Sequence, residues 1–331
     1  MTIVFSGVQP TGDLHIGNYF GAIKNFVALQ EQPKTSRFFC VVDLHAMTLK
    51  HDPNQLRRQS LEITATYLAA GIDPAKSSIF LQSSVGAHTE IAWMLNCVAR
   101  MGWMERMAQF KDKTGKDAER ASVGLFTYPI LMAADILAYG ADIVPVGDDQ
   151  KQHIELAKDI AQKFNNDFGG NLVIPTALKT ESARIMSLVN ASNKMSKSDP
   201  DPNSRINLAD TADQISKKIR KATADTLPFP DDLSVELRPE VKNLIAIYRA
   251  CSGASDEDIV RDFGGKGYGV FKPALAEAVI AEIVPIGERM RELMNAPDFL
   301  TQVLRAGRAH AEDKAAITLG HMRDKLGLLG I

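Results

Sequence analysis

The sequence predicts an α/β fold: a parallel sheet covered by helices on both faces, followed by a smaller, all-helical region. Two observations carry this expectation. Through residues 1–188, short apolar runs rich in aromatic and β-branched residues alternate with amphipathic helical stretches, the pattern of strands whose crossovers are helices. From about residue 205 the strand pattern stops and helical periodicity alone continues.

Taken in order, "TIVFSG" reads as a strand and "GNYFGAIKNFVALQE" as a helix. "RFFCVVDL" is a second strand, and "NQLRRQSLEITATYLAAG" a helix stopped by Gly71 and Pro74. "SSIFLQS" is a third strand, followed by one long helix over residues 88–110. After the basic loop "KDKTGKDAER" comes an apolar helix around "YPILMAADILAYG". "ADIVPVG" supplies another strand and "DDQKQHIELAKDIAQKF" another helix, with Asp148 its N-cap. The expected organisation is a sheet domain over 1–188 and a helical domain over 189–293. A C-terminal helix over about 294–331 is expected to pack back on the first domain.

Bulk properties narrow the class. The 331 residues are 45% hydrophobic and 24% charged, with a formal net charge of -2. Any nucleic-acid partner must therefore meet a local basic patch, not a global field. Cys40, Cys97 and Cys251 are far apart and read as buried thiols in a reducing compartment, without disulfide or zinc spacing. "MTIVFSG" lacks the features of a signal peptide, and no apolar run approaches the roughly 20 residues of a membrane helix. A soluble, cytoplasmic protein without a membrane partner is expected.

In a parallel α/β sheet, ligands bind at the carboxyl ends of the strands, so the residues after each strand hold the candidates. "GVQPTGDLHIGN" places a glycine-bearing turn and a helix start after the first strand. Unpaired N–H groups and the dipole there suit a phosphate, with His15 near it. A plain turn with an exposed histidine fits the same residues. "VVDLHA" brings Asp43 and His45 to the same edge, and "GDDQ" brings Gly147, Asp148, Asp149 and Gln150. In the apolar helix, Tyr128, Met132, Asp135 and Tyr139 share one face by their spacing. Asp135 has no basic neighbour in sequence, and burying it unpaired would cost several kcal/mol. Either an unseen partner or a ligand N–H must satisfy it.

The stretch "NASNKMSKSDPD" is dense in turn formers and carries Lys194 and Lys197 three apart. A solvated surface loop and a clamp for a polyanion both fit it. "LHIGN" and "KMSKS" together resemble the two signatures of class I aminoacyl-tRNA synthetases. With "YPILMAADIL", "PVGDDQKQHIEL", "ARIMSL" and "GKGYGVFK" in that order, the whole chain is similar to the bacterial tryptophanyl-tRNA synthetase family.

The resemblance implies a Rossmann-like catalytic domain that binds ATP and L-tryptophan, and a helical domain that reads the anticodon of tRNA(Trp). It implies that Gln9, Pro10, Thr11, Gly17 and Asn18 border ATP, with His15 at its phosphates. Gly147, Asp148 and Asp149 would meet the ribose side and Ile185 the adenine. Lys194, Met195, Ser196, Lys197 and Ser198 would close over the phosphates. Asp135 would accept the indole N–H, and Tyr128 and Gln150 would hold the amino group. Phe5, His45, Met132, Val144 and Val146 would shape the pocket. His15, Lys194 and Lys197 are the implied catalytic residues.

The family's usual second histidine is Asn18 here. Mg²⁺ is implied with ATP, without a protein metal site or an organic cofactor, and a homodimer is implied, with the Trp93/Met94/Trp103/Met104 region a candidate interface that core packing explains nearly as well. Lys111, Lys113 and Lys116 offer further charge near ATP or simply an exposed surface loop, and Lys217, Lys218, Arg220 and Lys221 either a surface for RNA or a solvated face. The tyrosine branch shares the lysine loop and the helix start at Asp149–Gln150. A phenol both donates and accepts whereas an indole N–H only donates, so one acid on an apolar stripe suits tryptophan.

Overall fold

A computed structural model describes residues 2–107, 121–147, 150–179, 184–224, 226–234 and 236–330. Five parallel strands, β1 (Thr2–Val8), β2 (Thr35–Val41), β3 (Ser78–Leu81), β4 (Ile143–Val146) and β5 (Thr176–Lys179), lie in the order β3-β2-β1-β4-β5. The strand order reverses between β1 and β4. Alternation along β2 explains why both faces are covered: Phe39 and Val41 enter one apolar cluster, Phe38, Cys40 and Val42 the other.

The chain after β1 forms α1 (Ile16–Asn18), a π-helical turn at Tyr19–Ile23 and α2 (Lys24–Gln30). After β2 come α3 (Asp43–Ala46) and α4 (Pro53–Ala69), and after β3 come α5 (Ala87–Val98) and α6 (Met101–Met104). Helix α7 (Val123–Leu137) precedes β4, and α8 (Lys151–Phe168) follows it. The remainder comprises α9 (Ala212–Lys221), α10 (Pro239–Ser252), α11 (Asp256–Phe263), α12 (Tyr268–Met294) and α13 (Pro297–Lys325).

Several boundaries differ from the sequence expectation. The second strand stops at Val41, because Asp43 already opens the short α3. The helix expected over 88–110 is broken at Ala99, whose ψ of 153° is extended, and residues 108–110 lie outside the described residues. Strand β5 was not anticipated: it is four residues long and follows Pro175, too short for a periodicity to register. Helix α8 begins at Lys151 with Gln150 as its N-cap, while Asp148 lies outside the described residues.

One cluster joins α2, α4 and the sheet to Ile215, Ile245, Phe271 and Ile283 of the helical region. The other holds Ile91 of α5, Ala134 of α7 and Ile160 of α8 against Phe5 and Phe80. Helix α13 borders both, with Val303 and Leu304 in the first and Ala311, Ala315 and Met322 in the second. It lies so close to β3 that a Cβ on Gly307 would stand 1.9 Å from the Ile79 carbonyl oxygen. Among the described residues, no helix is long and apolar enough to cross a membrane.

Candidate active site

The turn after β1 and the lysine loop meet at the end of the sheet. Gly12 sits at φ +60°, a conformation that favours glycine, and turns the chain toward α1. The His15 N–H donates to Asn18 Oδ1 at 3.1 Å, so Asn18 ties back the start of its own helix. A Cβ on Gly17 would stand 2.9 Å from the His15 ring, so that glycine makes room for the imidazole.

Residues 206–208 run antiparallel past this turn, with Ile16 N–H donating to Ile206 O and Leu208 N–H to Leu14 O, both at 2.9 Å. His15 is thereby buried, 3% exposed. Its Nδ1 has no hydrogen-bond partner. Burial first, then the charges of Lys197, Arg205 and Lys194, push its pKa down to about 3, so the ring is neutral at pH 7.

The lysine loop is the end of a small hairpin. Met195 N–H donates to Ile185 O at 3.1 Å and Ser187 N–H to Asn193 O at 2.9 Å. Asn243 of α10, buried, anchors it: Met186 N–H donates to Asn243 Oδ1 at 2.8 Å, and Asn243 Nδ2 donates to Met186 O at 3.0 Å. Ile185 and Met195 are each 2% exposed and belong to the first core cluster. Lys194 is exposed, and Ser196 and Ser198 pair through their hydroxyls at 2.9 Å. Lys197 reaches back across the site, donating from Nζ to Thr11 O at 2.5 Å and Gly12 O at 3.5 Å. Burial lowers its pKa to about 8, opposed by Asp13.

On the other face of the sheet, Phe5 of β1 and Val144 of β4 lie in the second cluster, with Met132 and Val146 packed against it. Asp135 is 1% exposed. The sequence left it without a partner; the structure gives it three. His45 Nε2 lies 2.8 Å from Oδ2, His88 Nδ1 2.7 Å from Oδ1, and Gln82 Nε2 donates to both oxygens at 2.8 and 2.9 Å. His88 continues the chain to the Tyr139 hydroxyl at 2.7 Å. Burial alone would raise the Asp135 pKa, but His45 and His88 hold it well below the usual carboxylate range. Beside it, the Tyr128 hydroxyl pairs with His153 Nε2 at 2.9 Å, and the Tyr128 and His45 rings meet edge-on.

The structure thus brings His15, Thr11 and Lys197 together at one strand end, and Tyr128, His45 and Asp135 together under the opposite face. Gln9 and the buried Pro10 lie in the turn, and Gly147 and Gln150 follow β4, the Gln150 N–H donating to Gly147 O at 3.0 Å. Asp148, Asp149, Lys111, Lys113 and Lys116 lie outside the described residues. Sequence reasoning missed Gln82, His88, His153, Asn243 and Arg205. The signal available for Gln82 was its place at the carboxyl end of β3; His88 and Asn243 sit inside helices and carried none.

A neutral buried histidine, a pair of lysines on a polar loop and a switch point at β1/β4 are the arrangement that a class I aminoacyl-tRNA synthetase would present to a nucleotide. The chain belongs to the family described as tRNA synthetases class I (W and Y), whose pattern matches residues 1–283. It is 50% identical to the tryptophan–tRNA ligase of Caulobacter vibrioides over 331 residues, 99% of this chain and 96% of that one. It is 49% identical to the tryptophan–tRNA ligase of Caldanaerobacter subterraneus, covering 99% of each. Among solved structures, the tryptophanyl-tRNA synthetase of Mycoplasma pneumoniae superposes with a TM-score of 0.90 at 34% identity, covering 100% of this chain and 98% of that one. That of Campylobacter jejuni, complexed with ADP and tryptophan, superposes at 0.82 with 37% identity, covering 99% of this chain and all of the other.

Proposed function

We propose that the chain is a tryptophan–tRNA ligase, which joins L-tryptophan to ATP as tryptophanyl-adenylate with loss of pyrophosphate, then transfers tryptophan to the 3′ end of tRNA(Trp). The observation that carries the substrate is the buried, ionised Asp135, held by His45, Gln82 and His88 beside the apolar and aromatic side chains of the second cluster. An indole N–H is a donor that such an acid accepts. Gln82 spans both carboxylate oxygens, and its retreat to one of them leaves a lone pair for the indole. Tyr128 and Gln150 hold the ammonium group, and Phe5, His45, Met132, Val144 and Val146 enclose the ring.

ATP lies along Gln9, Pro10, Thr11, Gly17 and Asn18, with Gly147, Asp148 and Asp149 on its ribose side and Ile185 at the adenine. The tryptophan carboxylate is already ionised, so its attack on the α-phosphate needs no general base. Catalysis is positioning and charge stabilisation. Neutral His15 bonds a phosphate oxygen. Lys194 and Lys197, with Met195, Ser196 and Ser198 of the same loop, cover the phosphates, and the lysines neutralise the charge that builds on the departing pyrophosphate. The terminal ribose hydroxyl of the tRNA then attacks the adenylate carbonyl and AMP leaves.

Magnesium is assigned to the substrate, as MgATP. Among the described residues, no three His, Cys, Asp or Glu side chains gather as a cage. Exposed Lys217, Arg220 and Lys221 of α9 face the RNA, while Lys218 is committed to Asp210 at 2.5 Å. The enzyme works in the cytoplasm as a homodimer. Of the four residues Trp93, Met94, Trp103 and Met104, Trp93 is exposed and available to an interface, whereas Met94 and Met104 are buried in the second cluster and Trp103 packs against it, so core packing accounts for those three.

Amino-acid-dependent ATP–pyrophosphate exchange tests the reading. Exchange is expected with tryptophan and not with tyrosine or phenylalanine. Asp135→Asn is expected to lower it about fivefold to hundredfold, the effect of ~1–3 kcal/mol from one buried polar contact. Exchange driven by tyrosine would overturn the substrate.

A further inference from the structure

We infer that Gln59 of α4 is a positioning residue, whose amide clamps the Pro10–Gly12 turn so that the turn's carbonyls receive Lys197. With the amide oriented to match donor to acceptor, Nε2 donates to Pro10 O at 2.9 Å and Oε1 accepts from Gly12 N–H at 2.9 Å. These two groups flank Thr11. The Thr11 N–H is turned the other way, onto Gln9 O at 2.9 Å. Thr11 O and Gly12 O then point outward to the Lys197 ammonium.

The support is specific to an amide, because one side chain must donate and accept at once. A glutamate has no donor for Pro10 O, and a leucine has neither function. Helix α4 is a rigid base for it, capped by Asp52, which accepts from Gln55 N–H, and buried through Ile63 and Tyr67. Pro10 is buried, but the Gly12 end of the turn is open on one side. A cavity of about 520 Å³ opens there, lined by Gly12, Asp13, Gln59, Leu208, Met290 and Arg291. On the cavity side of Gly12, the Gln59 amide supplies hydrogen bonds where side-chain packing is open.

The clamp acts on the lysine loop at a distance. Lys197 leans on two carbonyls whose direction the amide sets, so freeing the turn frees the lysine. The catalytic consequence rests on the reading of Lys197 as the phosphate-neutralising residue; the clamp itself does not. Gln59 touches no substrate in this scheme.

Two measurements test it. Brief acylation of the folded protein with acetic anhydride, mapped by mass spectrometry, is expected to find Lys197 protected in the wild type and several-fold more reactive in Gln59→Leu, with Lys194 unchanged. An unchanged Lys197 footprint overturns the clamp. In tryptophan-dependent exchange, Gln59→Leu is expected to lower kcat about tenfold without changing KM for tryptophan. In the Lys197→Ala background it is expected to cost less than about twofold, because the two changes break one linkage.

Full additivity of the two losses would show that Gln59 acts through general stability instead, and overturn the positioning role. A changed footprint in a protein that does not exchange with tryptophan would sink the substrate reading and leave the clamp standing.

Discussion

At position 15 an imidazole with no partner on Nδ1 is buried within the field of three cations. Its ordinary pKa of 6.5 applies in the unfolded chain, and about 3 in the folded one. Between those values the unfolded state binds a proton that the folded state refuses, so stability falls as pH falls. The contribution is complete above about 6.5 and lost progressively toward 3. It amounts to a few kcal/mol, at ~1.4 kcal/mol for each pKa unit. Followed from pH 8 down, the melting temperature of the wild type is expected to fall relative to that of His15→Asn, because only the wild type takes up a proton here on unfolding. Parallel curves would show that His15 does not titrate in this window. His15 was legible because it follows a strand and a glycine turn. Asp135 was legible as an acid in an apolar helix, but its partners were not. Gln82 and His88 stand 53 and 47 residues away, and the fold brings them together.

Strands and helices of ordinary length were readable from their periods, since β2 alternates between two buried faces and α4 or α8 shows a single apolar stripe. Short elements were not: β5 offers four residues and α6 four. Close approach between elements leaves its mark as glycine, yet the sequence cannot say which glycine. Gly307 of α13 lies against the backbone of β3, where a Cβ would meet Ile79 O at 1.9 Å. Gly320 of the same helix is exposed, with nothing within 4 Å of the same position. Gly307→Ala must move α13 off the sheet edge and is expected to destabilise by ~1–3 kcal/mol, as overpacking does. Gly320→Ala is expected to be neutral or stabilising by up to ~1 kcal/mol, through helix propensity. Denaturant melts of the two variants check this, and equal stability would mean that α13 is not seated as described.

Over the whole molecule, the change of pattern near residue 205 suggests two bodies, but one apolar cluster runs from Phe26, Phe39 and Ile63 to Leu275 and Ile283. The seam is also polar at its rim, where the Tyr19 hydroxyl donates to Glu282 and Lys24 pairs with the same carboxylate, both at 2.9 Å. A shared core of this kind makes the helical region melt with the sheet. Both tryptophans, Trp93 and Trp103, lie in the first half, and Trp103 packs on the cluster across the sheet from Ile283. Tryptophan fluorescence therefore follows the sheet domain, whereas far-UV circular dichroism follows helices everywhere. Ile283→Ala, at a fully buried site of α12, is expected to cost about 2–5 kcal/mol and to lower both transitions together. If the dichroism shifts while the fluorescence transition stays in place, the helical region unfolds on its own. The continuous core would then be a contact between two independent domains, and the Gln59 bonds to the Pro10–Gly12 turn, which lie on the sheet side of that seam, would survive a change that their link to Lys197 and the hairpin anchored by Asn243 would not.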